Sequence, residues 1–347
     1  TCDFTVTIVD NQLPIINNCP TDIGPLGNDA GLCGRTVSWN EPTASDNCPG
    51  VMLTTTPPNA NGSFFSVGMT TVTYTATDAG GLTTSCSFTI TIIDTEAPQI
   101  TCPANITASN DAGMCSAVVN YTAPVGTDNC PGATTSHVSG PMSGDNLAVG
   151  TYTVVYKVTD ASGNMATCSF TITVNDTELP AISCPNNISV PNDNNLCSAV
   201  VSYMTPVGTD NCPGQNTVQT AGLASGAAFP VGVTTNTFKV TDASGNMATC
   251  SFTVTVTDAQ APQITCPSPI VKSNDPGLCS ALVTYTAPVG TDNCPGANTI
   301  QTAGQVSNTY FPVGVTTNTF KVTDASGNMT TCSFTVTVND TEAPQIS

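Results

Sequence analysis

Thr151–Val174 reads TYTVVYKVTDASGNMATCSFTITV, and its period decides the fold. Tyr152, Val154, Tyr156 and Val158 alternate with Thr151, Thr153, Val155, Lys157 and Thr159. After Asp160-Ala-Ser-Gly-Asn164 the alternation resumes, with Cys168, Phe170, Ile172 and Val174 against Ser169, Thr171, Thr173 and Asn175. A period of two across both arms of a Gly/Asn turn predicts a β-hairpin with one buried face. A third run, Cys115, Ala117, Val119 and Tyr121, follows a turn at Asn110-Asp111-Ala112-Gly113. Threonine fills the outward positions, where β-branching favours strand without adding much apolar surface. No stretch carries the period of an amphipathic helix. Short strands and Gly/Pro/Asn turns about every ten residues predict an all-β chain of two-sheet β-sandwiches with Greek-key connections.

The hairpin recurs along the chain. The cysteines fall in quartets about 82 residues apart: Cys19, Cys33, Cys48, Cys86; Cys102, Cys115, Cys130, Cys168; Cys184, Cys197, Cys212, Cys250; and Cys266, Cys279, Cys294, Cys332. FPVGVTTNTFKVTDASGNM occurs at Phe229–Met247 and again at Phe311–Met329, and PVGTDNCPG occurs at Pro124–Gly132, Pro206–Gly214 and Pro288–Gly296. Such identity favours duplication of a mechanical unit over divergence of separate binding sites. Four modules are expected, at 11–96, 97–178, 179–260 and 261–342. Cys2 in TCDFTVTIVD matches Cys86 in SCSFTITIID, so residues 1–10 read as the last strand of a preceding module, and 343–347 as the start of a following one. Both ends are therefore expected to be cut inside a repeating array.

Composition excludes several classes of function. Five Lys plus Arg against twenty-four Asp plus Glu give a formal charge of -19, which repels nucleic acid and anionic membranes. The chain is 39% apolar but 8% charged, with apolar runs only a few residues long, so it reads neither as a disordered polyelectrolyte nor as a membrane-inserted protein. One His, at 137, and four Glu supply no nucleophile and base to pair, and no enzyme activity or organic cofactor is expected. Seventeen cysteines point to an oxidising compartment. No Cys-x-x-Cys pair exists and His137 has no counterpart in the other modules, which argues against zinc.

The order ITCP, GMCSAVVNY, TDNCPG, FPVG and VTDASGNMATCSFTVTV, kept at fixed spacing over essentially the whole chain, resembles the hyalin repeat (HYR) domain. The resemblance implies immunoglobulin-like modules of an extracellular protein associated with adhesion, with no catalytic residues to carry over. Cysteine-rich tandem forms are similar to those of very large secreted surface proteins of Bacteroidetes-type bacteria, including gliding-motility adhesins exported by the type IX system. The expected function is a structural stalk or filament segment of such a cell-surface adhesin. The alternative is a glycan- or protein-binding module acting through loops or an exposed sheet face. Expected partners are neighbouring HYR modules of the same chain, lateral copies, and a surface glycan or protein met at a distal region.

In the immunoglobulin-like reading the first Cys opens strand A, the second opens B, the third lies in the B–C loop and the fourth opens G. The A and G openings share an end, which suggests Cys19–Cys86, Cys102–Cys168, Cys184–Cys250 and Cys266–Cys332. Cys33–Cys48, Cys115–Cys130, Cys197–Cys212 and Cys279–Cys294 are left. That second set is the weak step, because strand B starts at the end opposite the B–C loop, and three connectivities per module stay open.

Seventeen of the twenty Asp recur at four module positions: the linker, the A–B turn, the B–C loop and the F–G turn. A linker Asp approaches the B–C and F–G loops of the next sandwich. The sets are Asp94 and Glu96 with Asp128, Asn129, Asp160 and Asn164; Asp176 and Glu178 with Asp210, Asn211, Asp242 and Asn246; and Asp258 with Asp292, Asn293, Asp324 and Asn328. Such all-oxygen groups suit calcium, which takes about six to eight oxygen ligands. The competing reading is turn capping, because Asp and Asn accept backbone N–H groups in Asx-turns without any metal. The linkers are also uneven, since Gln12 and Gln260 stand where Glu96 and Glu178 do. Pro98, Pro180 and Pro262 restrain hinge motion under either reading. His137, Lys157, Lys239 and Lys321 read as solvated, the lysines discouraging edge pairing on strand F. Trp39, Tyr121, Tyr203 and Tyr285 read as core rather than as a sugar-stacking platform.

Overall fold

A computed structural model describes residues 2–344, so the expectation for 343–347 falls mostly outside the described residues. The chain is all-β, with no helix among those residues. It divides into two compact units, Thr1–Asp176 and Thr177–Ser347, each holding two sandwiches.

In the second sandwich of the first unit, Gly150–Thr159 and Met165–Asn175 form the expected hairpin, with Tyr156 opposite Cys168 and Val154 opposite Phe170. Thr134–Ser139 joins on one side antiparallel, and Ile106–Ser109 on the other in parallel, completing a four-stranded sheet. Ser116–Val118 pairs with Asn146–Ala148 in the facing two-stranded sheet. The first sandwich repeats this with Met52–Thr56, Gly68–Thr77, Thr83–Ile93 and Ile23–Gly27 facing Gly34–Val37 and Ser63–Ser66. In the second unit the four-stranded sheets are built around Gly232–Thr241 with Met247–Thr257, and Gly314–Thr323 with Met329–Asn339.

Alternation translates directly into burial. Val154, Val158 and Ile172 are wholly buried, and Phe170 and Val174 nearly so, while the intervening threonines remain accessible. Trp39, Tyr121, Tyr203 and Tyr285 each meet a core Phe edge-on, at ring centroid distances of 5.2, 5.1, 4.9 and 5.0 Å from Phe88, Phe170, Phe252 and Phe334. Such contacts are a favoured geometry for packed aromatics.

Three expectations change. Residues 2–10 form no strand, and Phe4, Val6 and Ile8 are exposed. Lys157 and Lys239 lie on a central strand with neighbours on both sides, so they guard no edge; the edges are Thr134–Ser139 and Ile106–Ser109, or their equivalents. His137 is half-buried, its ring edge-on to Tyr156 at 5.2 Å.

One core feature has no counterpart in the alternation. Where the first two sandwiches bury Val72 and Val154, the second unit buries Asn236 and Asn318 completely. Asn236 Oδ1 accepts from Leu223 N at 2.8 Å and Gln219 Nε2 at 3.2 Å, and Asn318 Oδ1 accepts from Gln305 N at 2.7 Å. The position equivalent to Leu223 in the second sandwich is Pro141, which has no N–H to satisfy.

Candidate functional site

The turn before Gly34–Val37 and the loop that follows the equivalent strand lie at opposite ends of a sandwich, so within each unit the first sandwich's turn meets the second sandwich's loop. The turn is a backbone construction. Leu32 N donates to Asp29 O at 3.0 Å and Thr36 N to Asp29 Oδ2 at 3.1 Å. Gly31 takes φ 72°, a left-handed value that glycine adopts readily. The linker Glu96 reaches back to this turn, its Oε2 accepting from Gly31 N at 2.7 Å. In the second unit Gln260 Oε1 accepts from Asn195 N at 2.9 Å, and the Glu342 carboxylate from Gly277 N at 3.0 Å. Glu and Gln serve equally as acceptors here, which accounts for the uneven linkers. Glu96 is thereby placed on a turn amide rather than in the carboxylate set it was expected to join.

The first and fourth cysteines are joined in every module, Cys19 to Cys86, Cys102 to Cys168, Cys184 to Cys250 and Cys266 to Cys332. The second and third are not joined to each other. Cys33 is bonded to Cys130 of the following module, with Cα atoms 4.7 Å apart, and Cys197 to Cys294 of the following module, at 4.9 Å. Cys48 and Cys279 are free, so Cys33–Cys48 and Cys279–Cys294 do not form. Cys115 and Cys212 are disulfide-bonded, but not to Cys130 and Cys197, whose partners lie elsewhere. The reason is geometric: the B–C loop points away from its own strand-B opening and toward the preceding turn.

Around the Cys33–Cys130 bridge the expected residues separate into two groups. Asp160 and Asn164 satisfy each other: Asn164 N donates to Asp160 Oδ1 and Asn164 Nδ2 to Asp160 Oδ2, both at 2.8 Å. Asn164 Nδ2 also donates to the Asp94 carbonyl at 3.1 Å, fastening the F–G turn to the linker. Burial opposes ionisation of Asp160, but these hydrogen bonds outweigh it and hold the carboxyl below its ordinary value. These two residues are turn caps.

Asp94, Asp128 and Asn129 differ. Asp94 is 6% exposed; its Oδ1 accepts from Glu96 N, while Oδ2 is buried without a partner. Asp128 Oδ2 accepts from Cys130 N at 2.9 Å, and Oδ1 has no partner. Asn129 Nδ2 donates to Leu32 O of the preceding module at 2.9 Å, which leaves its Oδ1 buried and unpaired. Oxygens of Asp94 and Asp128 lie within 4.8 Å of each other and of the Cys130 sulfur, which as a disulfide is no thiolate ligand. Burial first, then the negative charges of Asp128 and Asp160, push the Asp94 carboxyl above its ordinary value.

The second unit repeats the arrangement. Asp258 Oδ2, Asp292 Oδ1 and Asn293 Oδ1 are buried and unpartnered, Asn293 Nδ2 donates to Leu196 O at 3.1 Å, and Asn328 Nδ2 donates to both Asp324 and the Asp258 carbonyl. Of the remaining set, Asp176 ends the first unit, while Glu178, Asp210, Asn211, Asp242 and Asn246 belong to the second, where Asn246 caps Asp242 and Cys212 N donates to Asp210 Oδ2. In each unit two neighbouring carboxylates thus keep one buried oxygen apiece without a donor, beyond the turn hydrogen bonds they make, and this uncompensated charge is of the kind a hard divalent cation offsets.

Comparison with known proteins gives four consecutive matches to the HYR domain, at residues 9–92, 93–174, 175–256 and 257–338. The chain is similar to Hyalin of Strongylocentrotus purpuratus, 38% identical over 363 residues, covering 100% of this chain and 30% of that protein. It is also similar to Hyalin of Lytechinus variegatus, 35% identical over 333 residues and covering 92% and 62% respectively. Among solved structures, the protocadherin gamma B2 extracellular cadherin domains 3–6 match at 14% identity and a TM-score of 0.38, covering 94% of this chain and all of that one. The chain thus spans less than two thirds of either hyalin.

Proposed function

Since the chain belongs to the HYR domain family, we propose that it is a structural segment of an extracellular adhesion protein, in which the two sandwiches of each unit are locked together at their junction. The observation that carries this reading is the bridge from Cys33 to Cys130, repeated from Cys197 to Cys294, because it spends a cysteine of each module on its neighbour. A disulfide between modules limits hinge motion and the length of chain that tension releases. A stalk or filament body needs both. Support for an extracellular, cell-surface location comes from the cysteine usage. No helix among the described residues is long and apolar enough to cross a membrane. The bacterial gliding-adhesin setting, with type IX export, rests on the sequence resemblance alone.

Calcium belongs to the proposal. Asp94, Asp128 and Asn129 would hold the ion in the first unit, and Asp258, Asp292 and Asn293 in the second; the ion would supply the positive charge that the buried carboxylates lack. Partners at a distal region and lateral association of copies stay within the same reading. A sugar-stacking platform draws no support from Trp39, Tyr121, Tyr203 and Tyr285, whose rings pack on core phenylalanines.

Thermal unfolding under non-reducing conditions, with calcium and then with chelator, tests the ion. Binding at a hundredfold excess over the dissociation constant stabilises by about 2.7 kcal/mol, a shift of several degrees. Asp94→Asn with Asp128→Asn is expected to lose most of the first unit's share of that shift while folding without calcium as well as the parent does. Melts that superimpose with and without calcium would remove the ion from the account and leave the bridges.

A further inference from the structure

The two bridged turns share a surrounding that recurs, half-built, at Cys279. At Cys33 and Cys197 the preceding leucine carbonyl accepts two side-chain amides. One comes from its own module, Asn28 Nδ2 to Leu32 O at 3.0 Å and Asn192 Nδ2 to Leu196 O at 2.9 Å. The other comes from the arriving loop, through Asn129 and Asn293. At the last module the first half is in place: Asn274 Nδ2 donates to Leu278 O at 3.1 Å, Leu278 N to Asp275 O at 3.0 Å, and Gly277 N to the Glu342 carboxylate. Cys279 is exposed and free. Asn274, Gly277, Leu278, Cys279, Asp340 and Glu342 bound a hollow of about 370 Å³.

Cys48 is the complementary half. Its loop already has the docked form, since Cys48 N donates to Asp46 Oδ2 at 2.9 Å, the distance at which Cys130 N meets Asp128 and Cys294 N meets Asp292. The loop is therefore formed before it meets a turn.

We propose that the face around Cys279 is an acceptor for an Asp-Asn-Cys-Pro-Gly loop of a further HYR module, closed by a disulfide from Cys279 to the loop cysteine. It rests on the reading of the bridges as junction locks and is independent of the cation. The loop asparagine supplies the second amide to the Leu278 carbonyl, and the loop cysteine lies against Cys279 as Cys130 lies against Cys33. Bond formation needs a disulfide oxidant, here glutathione disulfide. The Cys279 thiolate attacks it and releases one glutathione. The loop thiolate then attacks the Cys279 sulfur of the mixed disulfide and releases a second, the two thiol protons ending on the two glutathiones. Cys48 competes poorly for the same oxidant: a hydrogen bond to Asp10, burial, and the charges of Asp10, Asp46 and Asp78 raise its thiol above the ordinary value and deplete its thiolate.

The full chain is incubated in a glutathione redox buffer with a synthetic peptide of the sequence Gly126–Ala133, and adducts at Cys2, Cys48 and Cys279 are counted by peptide mapping. Each is normalised to the glutathione adduct at the same thiol. Enrichment of the peptide at Cys279 by about fivefold over the other two is expected, the size of effect that one added hydrogen bond gives. A peptide carrying Asn129→Ala should lose the enrichment. Peptide distributed among the three thiols as glutathione is would overturn the proposal while leaving the junction reading standing, provided Cys33–Cys130 is recovered from the same digest. Absence of that linkage would overturn both.

Discussion

An aspartate in these loops has both carboxylate oxygens satisfied or keeps one buried without a donor, according to which groups face it. Asp324 accepts from Ser326 N, Asn328 N and Asn328 Nδ2, and Asp160 and Asp242 are held alike. Burial raises each of the three, but hydrogen bonds from the paired Asn and the turn amides outweigh it, so each titrates below its ordinary value. A depressed carboxyl lends stability in full above the unfolded value, about 3.9, and loses it as pH falls through the folded value. Melts recorded from pH 7 down to pH 2 should show Asp324→Asn less stable at neutral pH and with a shallower acid loss than the parent. An unchanged acid slope would count against the capping role. The sequence places both kinds of Asp at recurring positions but cannot sort them. Asp94 and Asp160 each sit among polar loop residues, and only the fold decides that Asn164 faces one and Asp128 the other.

At the scale of strands, the long hairpins were legible because ten or eleven residues display a period of two, as Gly150–Thr159 and Met165–Asn175 do. Ser116–Val118 was legible through the longer alternating run Cys115–Tyr121, but Ile106–Ser109, at four residues, is too short to show a period, and a parallel pairing leaves no turn signal between its partners. Buried Asn236 was legible in principle. Between otherwise matching repeats, Pro141 with Val154 becomes Leu223 with Asn236, a paired change that introduces an N–H together with its acceptor. Asn236→Val removes the acceptor of the Leu223 N and Gln219 Nε2 hydrogen bonds together with an Nδ2 that has no partner of its own, and should destabilise by about 1 kcal/mol, the net worth of a hydrogen bond, measured by denaturant titration. Adding Leu223→Pro to that variant removes the donor and should recover part of the loss. If the double variant falls as far as the sum of two independent lesions, the pairing is not the reason for the buried amide.

Across whole modules, the order of four modules and the bridge from first to fourth cysteine could be read from spacing and strand order. The neighbour-to-neighbour bridges could not. Cys33 is 15 residues from Cys48 and 97 from Cys130, and proximity along the chain favours the wrong partner until the B–C loop is seen to point away from its own turn. Cys33→Ser with Cys130→Ser should lower stability by about 3–4 kcal/mol through the longer loop released in the unfolded chain. Hydrogen exchange should then quicken in the Asp29–Leu32 turn and the Asp128–Gly132 loop while strand Gly150–Thr159 keeps its protection. The claim on which the structural-segment reading depends is the identity of those partners. It is tested most directly by digesting the unreduced, thiol-blocked protein and identifying its linked peptides by mass spectrometry. The account predicts Cys33 with Cys130 and Cys197 with Cys294, and blocked free thiols at Cys48 and Cys279. Recovery of Cys33 with Cys48 and Cys279 with Cys294 would mean modules closed on themselves, and would contradict it.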